Sequence, residues 1–120
     1  MEIKITKRTK LLEINNDMCH NFYYLVCGRF YNDNHTAYRK FKFVIWFDII
    51  DVDEFFNYDD ETDTWNEELI TEEQIKEYLN ECIWAMVDTV SDYNNENQLK
   101  CFYNHCNDSI RRYNEIAKHW

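Results

Sequence analysis

The chain has 120 residues, which suits one domain with a single core, and its formal net charge is −10. Aromatic residues make up 18% of the sequence and proline is absent, so the composition favours an ordered domain over a disordered one. No apolar run reaches the roughly 18 residues of a membrane span, and the N-terminus lacks the apolar region of a signal peptide. We therefore expect one domain over 1–120 that neither spans a membrane nor is secreted.

Charge is distributed unevenly along the chain. Residues 1–42 carry a net +4, residues 43–98 carry −16 and residues 99–120 carry +2. Duplex nucleic acid is bound by broad surfaces of lysine and arginine that displace counterions, so we do not expect this chain to bind a duplex. A small anionic ligand held by a few arginines is compatible with these charges.

Alternating apolar and polar side chains predict three strands in the first half of the chain. The first covers residues 3–14 and is less regular toward its end, while residues 22–31 and 37–47 are rich in aromatic and β-branched side chains. A turn at 32–35 joins the second and third strands into a long antiparallel hairpin, with the first strand paired alongside. The third strand places Phe41, Phe43, Ile45 and Phe47 on one face, and Lys40, Lys42, Val44 and Trp46 on the other.

The middle of the chain is acidic and leads into a helix. Residues 48–58 predict a short helix, and residues 57–68 form an acidic loop. A long helix follows over 71–90, because Thr71 supplies an N-cap and Gln74 completes a capping box.

A second long helix begins at Asn95 or a neighbour and ends near Lys118. Its apolar stripe contains Leu99, Phe102, Tyr103, Cys106, Ile110, Tyr113 and Ala117. Two amphipathic helices joined by a short turn form a helical hairpin. The predicted fold class is α+β, with an N-terminal antiparallel sheet of three or more strands packed against a C-terminal helical hairpin.

No set of side chains predicts catalysis or a metal site. A single glycine excludes a glycine-rich phosphate loop, and the acidic run lacks the spacing of a matched acid and base. Cys101, His105 and Cys106 resemble metal ligands, but Cys106 fits the apolar stripe of its helix and does not share a face with Cys101. The five cysteines are odd in number, which favours free thiols in a reducing cytosol. We predict no enzyme activity, no cofactor and no metal.

Three polar or aromatic positions on the helices suit a nucleotide. Trp84 lies among carboxylates, roughly opposite Ile75 on the first long helix, where the chain itself, a second copy or a flat ligand would cover it. Arg111 flanks the stripe of the second helix and Asn94 lies in the connecting turn. Arginine binds phosphate in a fork, an indole stacks on a base, and asparagine pairs with adenine. An exposed or interface tryptophan and a structural Arg–Asp pair explain the same residues.

The order of strands, acidic loop and two terminal helices resembles the phage anti-Thoeris sponge family of the first described type. The family's ligand residues match Trp84 within CysIleTrpAlaMet, Asn94 within TyrAsnAsnGlu, Arg111 within SerIleArgArgTyr, and Arg29 within CysGlyArgPhe of the sheet. The resemblance covers most of the chain and depends on topology and single positions.

This resemblance implies that the protein sequesters a signal. Members of the family bind cyclic ADP-ribose isomers, among them glycocyclic ADP-ribose made by TIR-domain enzymes, and hold them without cleavage, so the Thoeris effector is not activated. The implied partners are the cyclic nucleotide and further copies of the chain, as homodimers or hexamers, in the host bacterial cytoplasm. Some members also hold cyclic oligonucleotides.

A different function fits the acidic segment. The carboxylates between Asp48 and Glu68 are suited to imitate nucleic acid and to block a basic groove of a host defence nuclease. This alternative predicts a large basic protein as the partner instead of a small ligand.

Overall fold

The computed structural model describes residues 2–16, 19–48 and 71–120. It confirms the α+β class, with strands β1 (Glu2–Asn15), β2 (His20–Tyr31) and β3 (Tyr38–Asp48) followed by helices α1 (Glu72–Val87) and α2 (Glu96–Ala117). The predicted short helix lies outside the described residues, apart from Asp48, which ends β3, and so does the predicted acidic loop. Within the described residues, no helix has both the length and the apolarity that crossing a membrane requires.

The strands form one antiparallel sheet in the order β1-β2-β3. The hairpin between β2 and β3 keeps one register from Tyr31 opposite Tyr38 to Asn21 opposite Asp48. The side-chain amide oxygen of Asn32 accepts backbone hydrogen bonds in the connecting turn, which confirms the turn chemistry expected from the sequence.

Strand β1 departs from regular pairing at two places. The register shifts between Ile5 and Lys7 and again between Lys10 and Leu12, as in β-bulges. The first shift sets Lys7 opposite Cys27, although Lys4, three residues earlier, is opposite Arg29. A perfectly regular strand directs residues three apart to opposite faces, so this shift brings two lysines of β1 to one face of the sheet.

The two faces of the sheet differ in what covers them. The covered face, which packs against the helices, carries Phe22, Val26, Phe30, Phe41, Phe43 and Phe47, all buried in the main core. Helix α1 adds Leu79 and Ile83 to this core. The ring of Phe102 from α2 meets Phe30 and Phe41 edge-on, with ring centroids 5.2 and 5.4 Å away. This face contains Phe41, Phe43 and Phe47, which the alternation of the third strand places on one side.

The single glycine is part of that packing. A Cβ atom at Gly28 would lie 2.3 Å from the ring of Phe41, a distance at which the ring has to move. Gly28 is opposite Phe41 in the register, so the ring lies over the glycine backbone. The glycine is therefore required for the close approach of an aromatic ring.

Both helix starts agree with the sequence prediction. Thr71 is the N-cap of α1, and its side chain and that of Gln74 form the reciprocal bonds of a capping box. Asn95 is the N-cap of α2, and its side chain accepts a hydrogen bond from the backbone of Gln98.

Helix α2 crosses the free edge of β3, which the sequence did not predict. The hydroxyl of Tyr103 donates to the backbone oxygen of Lys40 at 2.8 Å, and the backbone nitrogen of Val44 donates to the Ser109 hydroxyl at 2.9 Å. These bonds satisfy edge groups of β3 that otherwise invite pairing with another strand. Beyond the crossing, α2 packs against the opposite, open face of the sheet.

A second, smaller core marks this crossing. It contains the buried residues Ile14, Tyr23 and Val44, with Ile110, Tyr113 and Ile116 packed against them. Because Val44 follows Phe43 in β3, the two residues lie on opposite faces. The apolar stripe of α2 is therefore divided between the two faces of one sheet.

Candidate functional site

The three residues of the helical hairpin with a predicted ligand role, Trp84, Asn94 and Arg111, are all exposed. The exposed fraction of Trp84 is 48%. Asn94 lies in the turn between the helices, where its backbone nitrogen donates to the Asp92 carboxylate at 2.9 Å. Arg111 forms an exposed ion pair with Asp108 at 3.6 Å. Among the described residues, no hydrogen bond, ion pair or ring contact joins Trp84, Asn94 and Arg111 to one another.

Arg29, the fourth predicted residue, lies on the other side of the sheet. The core residues Gly28 and Phe30 on either side of it belong to the covered face, so alternation places Arg29 on the open face. Trp84 projects from α1, which packs on the covered face. One copy of the chain therefore does not bring Arg29 and Trp84 into one pocket.

The open face around Arg29 carries a cluster that the sequence analysis did not identify. The register sets Lys4, Arg29 and Lys40 side by side across the three strands. In the next row it sets Lys7 and Lys42 on either side of Cys27. We call these five cations, Lys4, Lys7, Arg29, Lys40 and Lys42, the basic face.

The basic face is not neutralised within the described part of the chain. No described carboxylate forms an ion pair with any of its five cations. Like charges that face each other across strands destabilise a sheet, so two such rows carry an energetic cost. In a chain with a net charge of −10, this is a local excess of positive charge, and its chemistry suits an anion.

A depression of about 540 Å³ lies over the basic face. Its floor includes Cys27, its cations are Arg29, Lys40 and Lys42, and Tyr103 and Asn107 of α2 line it as well. Thr6 lines it on the β1 side, whereas Lys7 lines a separate cleft between β1 and α1. The edge crossing of α2 thus supplies residues that border the site.

Aromatic side chains hold Arg29 in position. Its guanidinium donates to the Tyr31 hydroxyl at 3.4 Å and lies 4.6 Å from the centre of the Tyr38 ring. The hydrogen bond to Tyr31 is the main cause that raises the pKa of Arg29 above its ordinary value. Arg29 is thus a fixed, permanently charged fork, a shape that suits phosphate.

One of the thiols, Cys106, belongs to the core. Cys106 is buried in the main core, and burial raises the pKa of its thiol to about 12. A thiol with such a pKa is not a nucleophile at neutral pH. The described residues contain no group of three or more side chains placed to hold a metal ion.

Part of the basic face was detectable in the sequence. Lys40 and Lys42 alternate with the core residues of β3, which predicts that they share the uncovered side. Their alignment with Arg29 and with the lysines of β1 depends on the register and on the shift after Ile5, which the sequence does not specify.

Comparison with known proteins gives no match: no protein-family model, no curated protein and no solved structure is similar to this chain.

Proposed function

We propose that this protein binds and sequesters a phosphate-bearing signalling nucleotide of the cyclic ADP-ribose type at its basic face, without cleaving it. The observation that carries the proposal is the double row of cations around Arg29 on the open face of the sheet. A cyclic ADP-ribose isomer contains two linked phosphates, which match adjacent rows of lysine and arginine better than a single charge does. The resemblance to the anti-Thoeris sponge family supports the same ligand class and the absence of chemistry.

The charge pattern explains how such a ligand is retained. The two rows repel one another in the empty protein, and a bound pyrophosphate relieves that repulsion. The electrostatic gain is therefore available only to an anion of matching size. Arg29 is already oriented by Tyr31 and Tyr38, so little conformational freedom is lost when it binds.

Tight binding favours a second copy of the chain as part of the site. A sponge for a scarce signal needs nanomolar affinity, which corresponds to about 12 kcal/mol. Ligands held that strongly are mostly enclosed, whereas the depression over the basic face is open to water. Since Arg29 and Trp84 lie on opposite sides of one protomer, a site that uses both residues requires two copies, as in a homo-oligomer.

Calorimetry with cyclic ADP-ribose and its glycocyclic isomers tests the proposal. We expect the parent protein to bind at least one isomer, and Arg29→Ala to weaken that binding at least tenfold, because the oriented fork is lost. Lys100→Ala is the matched control, since Lys100 is an exposed cation of α2 outside the basic face. Ligand released by heating should be chemically intact. Absence of binding to every isomer, equal binding by Arg29→Ala, or release of a cleaved product would overturn the proposal.

A different variant distinguishes the proposal from the alternative in which the acidic segment imitates nucleic acid. Replacing Asp59, Asp60, Glu61 and Asp63 by their amides leaves ligand binding at the basic face unchanged if the proposal is correct. The same variant abolishes activity if the acidic segment is the functional surface. Residues 59–63 lie outside the described part of the chain, so these four positions are chosen from the sequence.

A further inference from the structure

A groove lies beyond the basic face, where α2 crosses the edge of β3, and it extends from the open face toward the space between α1 and α2. Two clefts of about 290 and 320 Å³ adjoin each other, because both are lined by Met86, Ser109 and Arg112. Lys42 of the basic face and Trp46 of the groove are four residues apart on β3, which corresponds to about 13 Å along a strand. The groove is therefore a separate place from the depression around Arg29.

Three aromatic rings shape the first cleft. Tyr23 is buried and stacks against Trp46 with ring centroids 6.4 Å apart, and the ring of Tyr113 lies 5.9 Å from Tyr23 on a tilted plane. In the described part of the chain, no ring contact joins Trp46 and Tyr113. Trp46, Tyr113 and Tyr23 all line the cleft of about 290 Å³, so aromatic rings form much of its lining.

Trp46 is notable for its exposure. Its exposed fraction is 58%, although its neighbours Ile45 and Phe47 contribute to the core. A large apolar ring that lines a concave cleft and remains in water is suited to stack on a flat ligand.

Arg112 lies where the two clefts meet, and the Asp108 carboxylate lines the second cleft with it. The nearest acidic residues along α2 have other partners: Asp108 pairs with Arg111, and Glu115 pairs with Lys118 at 3.3 Å. Among the described residues, Arg112 has no ion pair and no hydrogen bond. It lines the second cleft together with His105.

We infer that this groove is a second ligand site, which takes a small planar aromatic ring that carries a phosphate, as in a nucleoside monophosphate. The ring lies between Trp46 and Tyr113, and the phosphate is bound by the guanidinium of Arg112. A cleft of about 290 Å³ is at the small end of ligand pockets, which fits one ring and one anionic group. The groove is independent of the proposed function, because it shares no residue with the basic face.

The experiment uses AMP as the probe in the Arg29→Ala background, where the basic face is weakened. Calorimetry should detect AMP binding, while adenosine and ribose 5-phosphate should each bind at least tenfold more weakly, since each lacks one of the two groups. Trp46→Ala and Arg112→Gln should each reduce AMP affinity at least tenfold.

Matched controls keep the test specific. Trp120 and Lys100 are exposed and lie outside the groove, so Trp120→Ala and Lys100→Gln should leave AMP binding unchanged. Thermal melting of each variant checks that it is folded.

No AMP binding in the Arg29→Ala background, or equal binding by Trp46→Ala and Arg112→Gln, overturns the second site. Equal affinity for ribose 5-phosphate overturns the role of the ring. Binding of cyclic ADP-ribose is measured separately, on protein with an intact basic face, so failure of one site is distinguishable from failure of the other.

Discussion

The same three strands form both faces of the sheet, but one face buries apolar side chains and the other aligns charged ones. The covered face buries six aromatic or branched side chains against the helices, and its geometry is set by ring packing. The open face aligns five cations that repel one another and have no described acidic partner. The covered face thus stabilises the fold, while the basic face, which is one part of the open face, weakens it in a manner typical of a binding surface.

The largest expected effect tests the covered face. Phe102→Ala should lower the free energy of unfolding by about 3–5 kcal/mol, because it leaves a cavity among buried rings. Chemical denaturation measures this loss. Lys42→Ala is the control on the open face, next to Phe43 in the chain, and should change stability little. Equal losses of unfolding free energy in the two variants would contradict the view that the covered face supplies most of the stability.

The second prediction concerns the place where α2 passes from one face to the other. Ser109→Ala should destabilise the protein by about 1–3 kcal/mol, because the buried residue Val44 loses the acceptor of its backbone N–H. Asn107→Ala, an exposed neighbour, provides the comparison in the same denaturation measurement. If Ser109→Ala loses no more stability than Asn107→Ala, the hydrogen bond from Val44 to Ser109 does not stabilise the packing of α2 on the edge of β3.

The third prediction sharpens the contrast, since stability and binding should move in opposite directions. Lys40→Glu replaces repulsion across from Arg29 with attraction, which should raise the melting temperature by about 1–4 °C. The same change should weaken binding of an anionic nucleotide at least tenfold. Melting curves and calorimetry on one sample measure both, with Lys100→Glu as the control. A lower melting temperature together with unchanged binding would refute the interpretation of the basic face.

The smallest effect comes from an ion pair with a structural role at the end of β1. Glu13 accepts a hydrogen bond from Lys10 at 2.7 Å and contacts His20 at 3.1 Å, and the bond from Lys10 is the main cause that lowers the pKa of Glu13 below its ordinary 4.5. A lowered pKa in the folded state stabilises the protein above about pH 4.5, and this stabilisation is lost as the pH falls through the folded value.

Glu13→Gln should therefore lower the melting temperature slightly at pH 7 and leave it nearly unchanged at about pH 3. Melting curves at the two pH values check this, with Glu115→Gln on α2 as the control. A difference between parent and variant that grows on acidification would contradict the assigned sign.

The sequence alone predicted the three strands and the two long helices. Alternation in β3 placed Phe41, Phe43 and Phe47 together on one face, and the capping box of Thr71 and Gln74 predicted the start of α1. These features depend on residues within a few positions of one another, so local periodicity and capping chemistry are sufficient to predict them.

The grouping of charges and rings depends on how the strands and helices pack, which the sequence pattern does not show. The rows of the basic face depend on pairing between strands distant in sequence and on the shift after Ile5. The groove of Trp46 and Arg112 exists because α2 crosses the edge of β3, and helical periodicity does not reveal such a crossing. Arg29, selected by resemblance, lies at the centre of the basic face, whereas Trp84, Asn94 and Arg111 stay predictions whose roles require a second copy or a ligand. The physical reason is that register and helix placement are set by long-range packing, which a linear pattern does not encode.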